Sequence, residues 1–522
     1  MKKVIFYSFL LGLIISHESC TKDFDKINTN PNSIAKVGPA ERPFLFTQSI
    51  NWAVSAGDDY QVAQNLFADL YCQYWANATT YFTSDRYGFT GWWIDQSFSG
   101  WYVKAVPGLF DIMRFSDTQS PEHALASIMW VYMFHNITDV WGPIPYFNAG
   151  KGVVLSDGNF VAYDAQDKIY DDFFKRLNNA SLALKANAGK NVFGKNDLIY
   201  NGNVDKWLKF CNSLRLRLAL RISKVDPARA KAEAEAAVAA GVFMSANDDA
   251  LLKRSAETYD ISHHLSVMSE WREYSMSASM ESYLKGYDDP RMKVWFAPTV
   301  NSVLAGTPQY KGVRNGLLSN NFNDLRNKLD NNSIAGSRWN LNINSNALNT
   351  PQNVMCAAEA YFLRAEGALK GWNMNGSAQS LYEEGIRVSF RQWGINSDPS
   401  LYFNSASLPV PLNDFLNSPA VNSIPVKFSS SPATQFEQIM TQKWLSTFPD
   451  GFVGWSDLRR TGFPKLYPVP NSDNPDMQPG SLVRRVLYPP AEFDNNKKGI
   501  QIGVTLLSGP DKMSTRLWWD KP

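Results

Sequence analysis

The sequence predicts an all-α protein, and three observations carry that prediction. Apolar residues recur every three or four positions through most of the chain, the period of a helix face rather than of a strand. Residues 357–390 read as two helices around a Gly/Asn turn at 371–376. The long stretches between periodic segments, 298–350 and 396–434, are rich in Asn, Ser, Gly and Pro and read as loops, not strands. The expected architecture is helix pairs scaffolding long irregular loops, with little β structure.

The chain opens with Lys2 and Lys3 followed by an apolar stretch of twelve residues, Val4 to Ile15. A membrane-spanning helix needs about 20, so residues 1–19 read as a cleaved secretory signal. Ser19 is small, as a cleavage site requires, and Cys20 follows it. A cysteine at that point is the lipoprotein arrangement, in which the thiol takes a diacylglycerol and the freed amine is acylated. His17 and Glu18 depart from the usual aliphatic and small residues of that box. Residues 20–33, polar and Asn-rich, suit a tether merging into the body that runs to 522. No later stretch is long and apolar enough to span a membrane. Cys72, Cys211 and Cys356 lie far apart within helical patterns and read as buried free thiols.

In 164–185, Ile169, Phe173, Leu177 and Ala180 form one helical stripe. Trp207, Phe210, Cys211, Leu214 and Leu218 form the next, with Arg215, Arg217 and Arg221 beside it. A third helix follows in 226–241, where Asp226 can cap, Pro227 fits the first turn and Gly241 can stop it. Within 357–390, Ala378, Tyr382 and Gly385 match the small-aromatic-small spacing of a tetratricopeptide second helix, with Phe362 and Ala365 as first-helix counterparts. The segment 466–499, dense in Pro and Asn, reads as irregular.

Composition narrows function. The 522 residues carry a net charge of +2 and only 19% charged residues, so there is no basic excess to meet phosphates and nucleic acid is excluded as a partner class. No HExxH, G-x-S-x-G, Walker loop or EF-hand loop occurs. His123, His135, His263 and His264 form no ligand spacing, although His263 and His264 with Asp260 and Glu270 are imaginable as ligands or a base. Glu383 and Glu384 read as a solvated helix face. Neither catalytic residues nor a metal site is expected.

Aromatics make up 13% of the chain, including 17 Trp and 22 Tyr. Residues 71–102 hold Trp75, Tyr81, Phe82, Tyr87, Phe89, Trp92, Trp93, Trp101 and Tyr102, interleaved with Thr, Ser, Asn and Gly. Between 79 and 93 these rings follow no helical stripe. They either seal a small core or present flat faces to the apolar faces of sugar rings, with neighbouring hydroxyls and amides for the sugar hydroxyls. Trp101 and Tyr102 enter the next helical pattern and read as core.

Several blocks in order, from "CTKDFDKINTNPN" (20–32) through "FHNITDVWGPIPYFNA" (134–149), "WLKFCNSLRLRLALRIS" (207–223), "YDDPRMKVWF" (287–296) and "AAEAYFLRAEGAL" (357–369) to "RRVLYPPAE" (484–492) and "TRLWWDK" (515–521), resemble the SusD/RagB outer-membrane lipoproteins. The resemblance covers essentially the whole chain after the signal. It implies an all-α fold with tetratricopeptide-like pairs, lipidation at Cys20, an outer-membrane location facing the cell exterior, and a SusC-like TonB-dependent transporter as partner. Oligosaccharide is the implied ligand. Peptide ligands on the same scaffold, or a surface glycoside hydrolase or esterase, are the alternatives, and a structural calcium stays open. The family fixes no ligand residues, only a region. The matching rings here are Trp75, Tyr81, Tyr87, Trp92 and Trp93, with Trp271 as a second wall. Where the family carries a Glu-Ala pair before Trp455, this chain has Val453 and Gly454, which implies a local packing change.

Overall fold

The computed structural model describes residues 37–152 and 159–522. Cys20, the signal segment and the tether lie outside the described residues. Contacts divide the chain into Met1–Arg42 and a compact unit, Pro43–Pro522.

Its frame is a set of helices: α1 Gly91–Lys104, α2 Pro121–Trp141, α3 Gln166–Ala186, α4 Val204–Arg221, α5 Pro227–Ala240, α6 His264–Trp271, α7 Ala278–Gly286, α8 Ala357–Leu369, α9 Ala378–Gln392, α10 Pro432–Thr447, α11 Gly451–Thr461 and α12 Pro490–Asn495. Four sequential pairs pack against each other: α2 with α3, α4 with α5, α8 with α9 and α10 with α11. Helix α8 also packs on α4 and α10, and so joins the pairs into one body.

The predicted stripes are the packed faces. Ile169, Phe173, Leu177 and Ala180 on α3 are buried, as are Trp207, Phe210, Cys211, Leu214 and Leu218 on α4. Asp226 accepts from the Arg229 N–H at 3.2 Å to cap α5, and Gly241 ends that helix at φ 94°. In the α8–α9 pair, a Cβ on Gly385 would lie 2.8 Å from the Phe362 ring. Only glycine lets the helices come that close, and Phe362 then packs against Tyr382 at 6.1 Å between ring centroids. Cys72, Cys211 and Cys356 are free and buried. Gly454 explains one departure noted above. Its missing Cβ leaves space for Tyr74, whose hydroxyl donates to the Trp444 carbonyl at 2.6 Å.

The helix interior also holds charge. Sequence reading set Arg217 and Arg221 beside the apolar stripe, but both are 2% exposed. Arg217 donates to both oxygens of Glu359 at 2.8 and 2.6 Å, Arg460 does the same to Glu366 at 2.6 and 2.7 Å, and Lys443 meets Asp457 at 2.6 Å. In each of these three pairs a buried charge is met by an opposite one, the condition under which burial is tolerated.

Strands are few among the described residues: β1 Trp75–Asn77 with β3 Tyr274–Met276, and β2 Ala250–Leu252 with β4 Gln352–Met355, both antiparallel. Residues 298–350 form loops with short helical turns.

Candidate functional site

The β1–β3 ribbon builds the site. Its register sets Asn77 opposite Tyr274, and Ala78 continues the ladder by donating to the Glu273 carbonyl at 2.8 Å. The chain leaving β1 toward Tyr81 therefore runs beside the chain entering β3 from Trp271, 190 positions later. The aromatic cluster of residues 75–93 and the chain carrying Trp271, its expected second wall, meet here.

The loop after β1 is held by a polar network centred on Asp85. The Asn77 N–H donates to Asp85 Oδ2 at 3.1 Å, and the Asn77 amide donates to the Phe82 carbonyl at 2.9 Å. Asn315 Nδ2 donates both to Asp85 Oδ1 at 2.7 Å and to the Trp75 carbonyl at 2.8 Å. Arg86 donates to the Leu317 carbonyl and to Asp473. Burial pushes the Asp85 carboxyl up to about 6, against the pull of these donors.

That network sorts the rings. Tyr81 is 70% exposed, Trp92 58% and Trp271 45%, whereas Trp75, Tyr87 and Trp93 are all under 5%. The last three have no ring face free for a ligand, which corrects their assignment as stacking candidates. Trp75 is walled by Tyr274 at 4.8 Å, Phe296 at 5.3 Å and Phe448 at 5.4 Å. Tyr87 ties the loop down by donating to the Ser481 carbonyl at 2.7 Å. Trp93 is the pedestal of the site: Tyr81 meets it at 6.4 Å and 62°, Trp92 at 5.6 Å and 66°, and Phe82 packs beneath at 5.6 Å. Trp92 and Trp93 are neighbours in the first turn of α1, about 100° apart around its axis, so one points out when the other points in. Trp101 is core as predicted, and Tyr102 donates to the Pro145 carbonyl.

Trp271 ends α6, and Arg272 turns the chain at φ 56° and pairs with Asp330. Two exposed rings were missed as site candidates. Phe89, 46% exposed, precedes α1, and Phe493, 42% exposed, lies on α12. Helix α12 is held against α1, where the Ala491 N–H donates to Asp95 at 2.9 Å. Phe89 carried the same aromatic-loop signal as its neighbours. Phe493 carried none, because its helix comes against α1 only through the fold.

The histidines are placed differently. His135, His263 and His264 are buried, and desolvation pulls all three below the usual imidazole value. Among the described residues no group of three or more His, Cys, Asp or Glu is placed to hold a metal ion. What the site offers is apolar ring area in water, on Tyr81, Trp92 and Trp271: a surface for stacking.

The family described as SusD-like, "Susd and RagB outer membrane lipoprotein", matches residues 32–520. Among solved structures, a chitin-binding SusD homologue from Flavobacterium johnsoniae superposes with a TM-score of 0.80 at 34% identity, covering 93% of this chain and 98% of that one. A SusD homologue from Bacteroides vulgatus gives 0.81 at 29% identity, over 92% and 97%. A further chitin-binding protein gives 0.75 at 28% identity, over 92% and 100%. No curated protein matches the chain.

Proposed function

The chain belongs to the SusD-like family of outer-membrane lipoproteins, and from that premise we propose that it captures oligosaccharides at the cell surface and delivers them to a SusC-like TonB-dependent transporter. It is a binding protein, not an enzyme. Cys20 carries the lipid that anchors it, and the binding face is turned to the exterior. The ligand stacks on Tyr81 and Trp92, with Trp271 as the facing wall. The observation that carries this reading is that two large rings stay mostly in water while both brace on the buried Trp93. Rigid, amphipathic rings of this kind bind at small entropic cost. The chitin-binding relative at 34% identity makes N-acetylated sugar oligomers the first ligands to try.

The test is affinity electrophoresis and calorimetry of the purified protein across a glycan panel. Retardation by at least one glycan, lost in the double variant Tyr81→Ala, Trp92→Ala, is the expected result. Binding unchanged by that variant overturns the site. Peptides recovered from the purified protein, with no glycan bound, would favour the peptide alternative.

A further inference from the structure

Strand β3 has a second neighbour. On the side away from β1, the Met276 N–H donates to the Ser333 carbonyl at 2.7 Å and the Val313 N–H to the Met276 carbonyl at 2.9 Å. The Ser333 N–H in turn donates to the Lys311 carbonyl at 2.7 Å. Beyond this edge lies a polar cleft of about 420 Å³, between α7 and the loops of 299–331. The Arg272–Asp330 pair joins the residue after Trp271 to the one before Asn331, which lines the cleft.

The charges in this cleft do not balance. Glu281 is fully engaged, with one oxygen accepting from Lys285 Nζ at 2.6 Å and the other from the Gly312 N–H at 2.8 Å. Arg326 is paired with Asp324 at 2.7 Å. Lys311 alone has no carboxylate partner among the described residues; its ammonium donates to the Arg326 carbonyl at 3.0 Å. Its half-buried position pulls its pKa below the ordinary lysine value, so an incoming anion would relieve an existing cost. Around it, the Tyr310 hydroxyl and the amides of Gln309 and Asn413 make no side-chain hydrogen bond within the described residues. The cleft thus presents one ammonium without a paired carboxylate and uncommitted hydrogen-bonding groups, while Glu281 is already engaged by Lys285 and Gly312.

We propose that this cleft is a second subsite, in which Lys311 receives the carboxylate of an acidic sugar residue while the neutral part of the same glycan lies on the aromatic face. The inference rests on the reading of Tyr81, Trp92 and Trp271 as a glycan platform. It adds a selectivity that the rings cannot supply, because a ring face does not distinguish a uronic acid from a neutral sugar by charge.

The experiment titrates the full chain by calorimetry with acidic oligosaccharides (oligogalacturonate, alginate and hyaluronate fragments) and with neutral chito-oligosaccharides of equal length. The expected result is binding of at least one acidic series that weakens with salt. Lys311→Gln lowers that affinity about tenfold, leaves neutral binding unchanged, and is rescued by Lys311→Arg. Trp92→Ala weakens both series. Absence of any acidic binding, or equal effects of Lys311→Gln on both series, overturns the subsite. If Trp92→Ala changes neither series while Lys311→Gln acts as expected, the platform reading fails instead. Galacturonic acid monomer is the control: a monomer that binds as tightly as the oligomer identifies a free small anion as the occupant and overturns the glycan assignment.

Discussion

Within the helix pairs Arg217 and Arg460 are buried and matched by carboxylates, while the loop face exposes rings and leaves them unmatched. Arg217, Glu359, Arg460 and Glu366 are each at most 2% exposed and meet in two-pronged pairs. Tyr81 and Trp92, side chains of the kind that normally fill cores, stand 70% and 58% exposed on a buried pedestal. Either choice costs free energy if its counterpart is missing. In the helices the counterpart lies within the chain, so the arrangement serves the fold. On the loop face it is absent from the chain, and the unmatched apolar surface marks where something else must come.

The largest effect is expected where a matched charge loses its partner. Glu359→Ala leaves Arg217 buried without a carboxylate and takes Lys443 from one of its acids. Breaking such a pair costs about 3–5 kcal/mol, read as a lower denaturant midpoint. Joint replacement of Arg217 and Glu359 by Met and Leu should recover most of that loss. A fall below about 1 kcal/mol for Glu359→Ala would mean that the helix interior is wetter than its geometry, and would blur the contrast between the two regions.

Next comes Asn315, which touches no candidate ring yet holds both Trp75 and Asp85 in place. Asn315→Ala strips donors from a buried carboxylate and a buried carbonyl, at about 1–3 kcal/mol of stability. Glycan affinity should fall with it as Tyr81 and Trp92 lose their register. Full retention of affinity would show that the rings are positioned by α1 alone. Trp92→Ala is the converse case. We expect roughly a tenfold loss of affinity, about 1.4 kcal/mol, with stability unchanged to within about 0.5 kcal/mol, as at an exposed site. A large stability loss would make Trp92 a core residue and remove the difference between the regions.

How far each region was legible in sequence follows from the same contrast. The stripe of Ile169, Phe173, Leu177 and Ala180 repeats within one helix, so a local pattern sufficed to place it. The Gly385–Phe362 crossing was readable because both residues belong to one hairpin. Arg217 was not, since Glu359 lies 142 positions away and nothing local separates Arg217 from Arg215. The aromatic region was legible as a region from composition and broken periodicity. Which rings stay open was not, because the cover comes from afar: Phe448 shields Trp75, and Ser481 anchors Tyr87. Adjacent residues Trp92 and Trp93 differ in role only through the direction in which α1 leaves its loop.

Asp69 shows a third way to place an unmatched group, and it is the finest test of the comparison. It is fully buried, accepts from Gln64 Nε2 at 3.2 Å through one oxygen, and its other oxygen has no hydrogen-bond partner. No basic side chain pairs with it among the described residues. Burial, with Asp450 nearby, instead raises its carboxyl to about 8, so that it is neutral at pH 7. A carboxyl with a raised folded-state pKa stabilises most below its unfolded value near 3.8, and that contribution is lost as pH rises through about 8. Between those limits the folded chain holds one proton that the unfolded chain does not. Stability should therefore fall by up to about 1.4 kcal/mol per pH unit from this group. Asp69→Asn mimics the neutral form at every pH. Denaturation between pH 5 and 8 should then show a shallower decline for Asp69→Asn than for the wild type, with the two curves parallel above pH 9. Parallel curves across the whole range would mean that Asp69 is ionised in the folded chain and matched after all.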